Sequence, residues 1–405
     1  MAYPQSISIR AGYPDFLDLP WELPLSAWQG QCERLEEVPR GLSRHPVMFV
    51  NYHGVLFALK ELPMSVAQEE HDVLRQIEEF HLPAVIPVGH AQTETSQGQA
   101  SVLITRYLES SLPYRMLFMS QGLEHYRHHL LDAIAGLLVQ LHLSGVYWGD
   151  CSLSNTLFRR DAGALQAYLV DAETAEIYQD YIPPTMRFHD LQIMEENVTG
   201  DLHDLQSAGL LTMVNPGIPV ADTGAYIRLR YQRLWEEITR EDVINPDEHY
   251  RIHERIRALN GLGFSVGDVE LVTTEGGNQL RLRVVVTDRH FHRDQLYNLT
   301  GLHAEEMQAR VMMNEIQEMR ATLSQTNNRS TPLSVAAYHW LENVYNPVTA
   351  RLTPLTDQHT TQAELYCQIL EHKWYLSERA HHDVGHQAAT DDYLEKFSAR
   401  PGVVE

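Results

Sequence analysis

Three oxygen-bearing side chains stand in strand-like surroundings that tolerate them poorly. In GVYWGDCSLSNTLF, residues 145–158, Asp150 is followed by Asn155, and the apolar run LQAYLVD further on ends in Asp171. Asp and Asn are weak strand formers, and burying them without partners is costly. Something must hold them, and hard oxygens of this kind suit a divalent cation on a phosphate chain. Upstream, Lys60 lies in the strand-like LFALKEL and Glu70 in the helix-like AQEEHDVL. A strand lysine can grip α- and β-phosphates, and a helical glutamate can hold that lysine. A loop aspartate can take the proton of an acceptor hydroxyl, while an asparagine and a strand-end aspartate ligate Mg²⁺. Each residue has a plainer alternative. Lys60 could snorkel from a strand, Glu70 could sit on a solvated face beside Glu69, and Asp150 and Asn155 could cap a turn.

The elements around these residues are legible in outline. RHPVMFVNYHGVLFALKEL reads as two strands about a turn at Asn51–Gly54. Ser65 and Gln68 have capping-box spacing, and Val66, Val73, Leu74 and Ile77 continue at helical spacing to Phe80. LPAVIPVGHAQ and ASVLITRYLES read as two further strands joined by a loop over 92–99. Leu130–Leu143 reads as an amphipathic helix, and charged helices are expected at about 187–208 and 224–260. DVELVTTEGGNQLRLRVVVTD reads as a hairpin turning at Gly276–Gly277, and polar helical sequence fills most of the rest, with NNRSTP as a loop. The first 30 residues, rich in Pro and Trp, read as irregular.

Composition narrows the partners. With 405 residues, 43% hydrophobic and 21% charged, the chain can build two or three cored domains. A formal net charge of −23 argues against nucleic acid bound through its backbone and against broad adhesion to anionic membranes. Three scattered cysteines, Cys32, Cys151 and Cys367, fit free thiols in a reducing compartment. MAYPQSISIRAGYPDF lacks a signal-peptide core, and the apolar LLDAIAGLLVQLHLSGVYW is too polar and short to span a bilayer. The expectation is a soluble cytoplasmic protein.

The order strand lysine, helix glutamate, linking segment, helix, Asp150 and Asn155, then Asp171 resembles the protein-kinase-like superfamily. The resemblance implies ATP and Mg²⁺, with Asp150 as catalytic aspartate, Lys60 and Glu70 as the ion pair, and Asn155 and Asp171 as metal ligands. It also implies that Thr105, Arg106, Tyr107 and Leu108 form the adenine hinge. Gly149-Asp150 and Ser152 resemble the catalytic loops of RIO-like and lipopolysaccharide (Kdo)-kinase-like enzymes, which implies a nucleotide-side place for Ser152. PRGLSRHPV keeps only Gly41 where a glycine-rich loop is expected, so Ser43, Arg44 and His45 would grip phosphate with side chains. The metal triplet is Asp171-Ala172-Glu173, and no Ala-Pro-Glu segment follows.

SRHPV, ALKELP, LITRYLESSLPYR, NVTGDLHDLQ and EHKWYLSERAHHDVG together resemble a bacterial family. It joins a lipopolysaccharide-kinase-like N-terminal half to a domain of unknown function. The expected fold is α+β: a protein-kinase-like bilobal fold with a small β-rich N-lobe and a helical C-lobe, then a C-terminal α+β/helical domain. The expected divisions are an extension at 1–30, an N-lobe at 31–108, a C-lobe at 109–215, an α+β region at 216–326 and a helical region at 327–405. The partners implied are a nucleotide and an unidentified hydroxyl acceptor. The C-terminal half is left to bind acceptor, regulate or form a homodimer. A catalytically inactive nucleotide-binding or interaction module is the rival reading.

Two histidine-rich runs offer weaker metal readings. His290 and His292 would share one strand face, and His382 and His386 would form an i, i+4 pair if helical. Cys151 reads as a packed bystander, and Trp374 and Tyr375 as core.

Overall fold

The computed structural model describes residues 4–38, 44–95, 98–119, 124–179, 182–211, 218–240, 242–244, 268–273, 280–285, 291–326, 329–356 and 360–397. The chain divides into two compact units. The first comprises Met1–Arg159 and Gln166–Trp235, and the second Arg160–Leu165 and Glu236–Glu405.

The first unit begins with an antiparallel sheet of β1 (Ser6–Ile9), β2 (Val47–Tyr52), β3 (Val55–Leu62), β4 (Ile86–Thr95) and β5 (Gly98–Arg106), in the order β1-β4-β5-β3-β2. His53 and Gly54 turn β2 into β3 with positive φ angles of 56° and 85°, and Asn51 Oδ1 accepts the Gly54 N–H at 2.8 Å. Over residues 4–30 the chain is mostly turns and irregular segments, as expected, but it carries one strand and a packed core. β1 pairs with β4 along the sheet edge. Phe16, Leu19, Trp21, Leu25 and Trp28 form a core against Phe57 and Leu59 of β3. The side-chain alternation of a strand then sends Ala58 and Lys60 to the opposite face.

Helix α1 (Val66–Glu79) covers that face, burying Ala67, Glu70, His71, Leu74 and Ile77. The expected capping box at its start does not form. Ser65 stands at φ 71° and makes no side-chain cap bond. Instead its carbonyl accepts the Gln68 and Glu69 N–H groups.

Past Arg106 come β6 (Leu112–Pro113), α2 (Tyr114–Met119) and α3 (Glu124–Leu143). α3 is longer than expected and less amphipathic, with Leu130, Leu131, Ile134, Leu137, Leu138 and Leu141 all buried. β7 (Val146–Tyr147) pairs with β10 (Glu176–Ile177), while β8 (Thr156–Asp161) and β9 (Ala164–Leu169) follow β6 in a three-stranded sheet. α4 (Pro184–Ser207) and α5 (Thr223–Thr239) complete the unit's helices. The second charged helix therefore ends near Thr239, and Asp242–Ile244 is the strand β11.

In the second unit β11, β12 (Asp268–Thr273) and β13 (Leu280–Val285) form a sheet in the order β11-β13-β12. The hairpin strands stand where expected, and the Gly276–Gly277 turn lies outside the described residues. Among the described residues of this unit are the helices α6 (Phe291–Thr300), α7 (Glu306–Thr326), α8 (Leu333–Trp340), α9 (Asn346–Leu352), α10 (Gln362–Ala380) and α11 (Gly385–Phe397). They bury Met312, Ile316, Trp340, Tyr366 and Ile369 in a core of their own. The tip of the β8–β9 turn is built into this unit. Asp161 accepts the Gln308 and Met307 N–H groups at 2.8 and 3.1 Å, and Glu364 accepts that of Ala162 at 2.9 Å.

The conditional geometry of the two histidine runs and the core reading of Trp374 and Tyr375 meet different surroundings here. His292 is helical and bonded to Glu306 at 2.7 Å, and His290 lies outside the described residues. His382 and His386 flank a chain break in helicity, because α10 ends at Ala380 with His381 left-handed and α11 starts at Gly385. Trp374 and Tyr375 are exposed, at 58% and 48%. Among the described residues no helix is long and apolar enough to cross a membrane.

Candidate active site

Strand β3 and helix α1 bring the first charged pair together. Lys60 Nζ donates to Glu70 at 3.1 Å and to Asp171 Oδ2 at 2.6 Å, with its side chain 12% exposed. Glu70 is buried on the same α1 stripe as Leu74 and Ile77, while the neighbouring Glu69 is exposed. Glu70 also accepts the Ala172 N–H at 3.1 Å, which ties α1 to the segment carrying Asp171. Burial raises the Glu70 pKa and the Asp171 charge adds to this, with Lys60 opposing both. Burial lowers that of Lys60, but Glu70 and Asp171 more than offset it, so Lys60 stays charged.

The loop after β7 forms the second group. Asn155 Nδ2 donates to the Asp150 backbone oxygen and to Asp150 Oδ2, both at 3.0 Å. Ser152 Oγ accepts the Asn155 N–H at 3.0 Å, so its hydroxyl shapes the loop. Asn155 O in turn accepts the Val170 N–H at 3.1 Å, setting Asn155 beside the strand end that leads to Asp171. Trp148 Nε1 donates to the Asp171 backbone oxygen at 2.8 Å. Cys151 is fully buried, and burial pushes its thiol well up, leaving no thiolate for nucleophilic chemistry.

Of the residues expected to grip phosphate, His45 lies 3.6 Å from Glu173, and Glu173 reaches to 3.9 Å from Lys60 Nζ. Arg44 is exposed, and Ser43 lies outside the described residues. At the expected hinge, Thr105 is buried in β5 and Arg106 pairs with Glu109 at 3.7 Å. The Tyr107 N–H donates to Leu56 O at 3.0 Å, and Leu108 O accepts from Ser111 at 3.3 Å.

Three residues of α4 that sequence reasoning passed over hold the Asp150 loop. Asp190, fully buried, accepts the Trp148 N–H at 2.8 Å, the Gly149 N–H at 2.9 Å and His142 Nε2 at 3.0 Å. Asn197 Nδ2 donates to Asp150 Oδ1 at 2.8 Å. Asp201 accepts from Ser154 N and Oγ at 3.0 and 2.9 Å. Asp190 did carry a signal, since it occupies an apolar stripe with Met194, Val198 and Leu202. Burial holds His142 below the usual imidazole range although Asp190 opposes it, so the ring is neutral. A carboxylate only accepts, so Nε2 carries the proton and Nδ1 takes the Tyr231 hydroxyl at 2.8 Å.

Among the described residues no group of three or more His, Cys, Asp or Glu side chains is poised around one point. Mg²⁺ does not need one, because it keeps waters and is commonly held by one or two protein oxygens plus substrate phosphates. Asn155 commits its NH₂ to Asp150 and leaves its carbonyl oxygen as a hard ligand, and Asp171 supplies a carboxylate. The pair fits a phosphate-bound Mg²⁺.

Residues 54–215 match the profile described as the Lipopolysaccharide kinase (Kdo/WaaP) family, and residues 233–397 match a Domain of unknown function (DUF4032). This is the two-part make-up expected from the sequence. A solved structure described as WaaP in complex with acyl carrier protein is 16% identical, with a TM-score of 0.37, covering 64% of this chain and 99% of that one. No curated protein matches the chain. The α+β class, with a β-rich first part and a mostly helical second half, is also as expected.

Proposed function

We propose that this chain, carrying a lipopolysaccharide-kinase-family region ahead of a domain of unknown function, is an ATP- and Mg²⁺-dependent kinase that phosphorylates a hydroxyl acceptor. The observation that carries the reading is a single lysine held between a helix glutamate and a strand-end aspartate, Glu70 and Asp171. Lys60 exchanges Asp171 for α- and β-phosphate oxygens when nucleotide enters, while Glu70 keeps it in place. Asn155 and Asp171 would hold Mg²⁺, which would supply positive charge against the phosphates. Asp150 orients the acceptor hydroxyl and takes its proton as the acceptor oxygen bonds to the γ-phosphorus. The bond to the β–γ bridging oxygen breaks, and ADP leaves. The acceptor is a hydroxyl of a small molecule, a glycan or a protein.

One feature favours the rival, a nucleotide-binding module without catalysis. Glu173 stands 3.9 Å from Lys60 and 3.6 Å from His45, a third carboxylate where phosphates would come. Thermal unfolding with ATP, with and without Mg²⁺, tests the shared site. Ligand that binds only the folded state raises the melting temperature by mass action. A Mg²⁺-dependent rise that disappears in Asp171→Ala is expected. No rise at millimolar ATP would overturn the kinase reading.

A further inference from the structure

We propose that Asn197 is a positioning residue that fixes the plane of the Asp150 carboxylate for phosphoryl transfer, an inference that rests on the kinase reading above. The terminal torsion of an aspartate is broad, so a carboxylate anchored through one oxygen can swing the other. Asn155 anchors Oδ2 at 3.0 Å, and Asn197 anchors Oδ1 at 2.8 Å. With both oxygens tied, the plane has one orientation. Each oxygen still has a lone pair for an incoming hydroxyl. Both asparagines present their NH₂ groups, since only that end of the amide can donate to a carboxylate.

The second anchor comes from a rigid frame. Asp190, Asn197 and Asp201 recur at seven and four residues, which puts them on one face of α4. Over the about 16 Å of helix between the first and last, they grip Trp148 and Gly149 on one side of Asp150 and Ser154 on the other. Asn197 thus holds the reacting side chain while its neighbours hold the backbone around it. The helix accepts a cost for this. Asn197-Val198-Thr199-Gly200 is a run of weak helix formers in the middle of α4. The bond to Asp150 accounts for the asparagine; nothing in the structure explains Gly200.

The test uses the full chain with Mg²⁺–ATP, reading melting temperature and steady-state phosphate release to water. Wild type is compared with Asn197→Ala, Asp150→Asn, both together, and the swapped pair Asp150→Asn with Asn197→Asp. Asn197→Ala is expected to keep the Mg²⁺–ATP rise in melting temperature and its KM. Its kcat should fall on the order of a hundredfold, the scale of a small misplacement of a reacting group. In the Asp150→Asn background the same change should cost nothing more, because Asn197 acts through Asp150. The swapped pair should regain melting temperature without regaining turnover. If Asn197→Ala does not fold, the near-isosteric Asn197→Leu, which removes the donor without adding charge, carries the same comparison. Wild-type turnover in these variants, or an equal loss in the Asp150→Asn background, overturns the role and leaves the kinase reading standing. Mg²⁺–ATP binding by wild type without phosphate release overturns the role in favour of the non-catalytic module. Absence of the wild-type melting shift overturns the kinase reading and the role together, and is seen before any variant is made.

Discussion

At Gly149 the backbone decides the residue. Its φ is +79°, and a Cβ there would lie 2.8 Å from Thr174 O and 2.9 Å from Tyr147 Cε1. Thr174 cannot easily retreat, since its hydroxyl donates to Trp148 O at 2.9 Å. A side chain would therefore be strained twice, by the left-handed conformation and by a close backbone oxygen. This is a physical reason for Gly-Asp rather than Arg-Asp at residues 149–150. Gly149→Ala should lower stability by about 1–3 kcal/mol, read from denaturant unfolding. An unchanged midpoint would mean that the loop shifts freely, and would weaken the picture of a rigidly held Asp150.

Helix α4 is the element that stiffens the site, and its strongest single anchor is Asp190. Asp190→Ala would strand two backbone N–H groups and the His142 ring N–H, all close to the buried carboxylate. Unsatisfied buried donors are costly, so a loss on the order of 3 kcal/mol is expected. Chemical denaturation checks it, and a loss within about 0.5 kcal/mol would show that water replaces the carboxylate. Elements of this kind mark the boundary of what the sequence made legible. The roles expected of the charged residues came from a resemblance; strands β2 to β5 and helix α1 followed from side-chain periodicity and turn residues, which act over a few positions. The α4 anchors did not, because their partners lie 41 to 48 residues away. Ser65 misled for the opposite reason: its spacing was right, but a positive φ took its side chain out of capping position. The tryptophans of the first 30 residues gave no period, yet Trp21 and Trp28 bury against β2 and β3. Trp374 and Tyr375 were read as core by residue type alone, and the structure leaves them exposed.

Over the whole molecule, each unit has its own core and its own buried polar anchor. In the second unit that anchor is Glu315 of α7. It accepts Trp340 Nε1 at 3.1 Å, the Tyr366 hydroxyl at 2.5 Å and His386 Nε2 at 2.8 Å, joining α8, α10 and α11 to α7. Burial acts to raise its pKa, but the bonds from His386, Tyr366 and Trp340 more than reverse this and hold it below the ordinary 4.5. A carboxyl depressed in the folded state contributes stability that is present above its unfolded value. That contribution is lost as pH falls through the folded value. Glu315→Gln keeps the shape but offers one acceptor oxygen to three donors, so it should cost about 1–3 kcal/mol near neutral pH. The gap between wild type and variant should then shrink as pH drops below about 4.5, because wild-type Glu315 itself becomes protonated. All the residues assigned to the nucleotide and metal lie in the first unit. The variant should therefore lower the stability of the second unit while keeping the Mg²⁺–ATP rise in melting temperature. A gap that persists undiminished to about pH 3 would show that packing around residue 315, rather than its charge, holds these helices together.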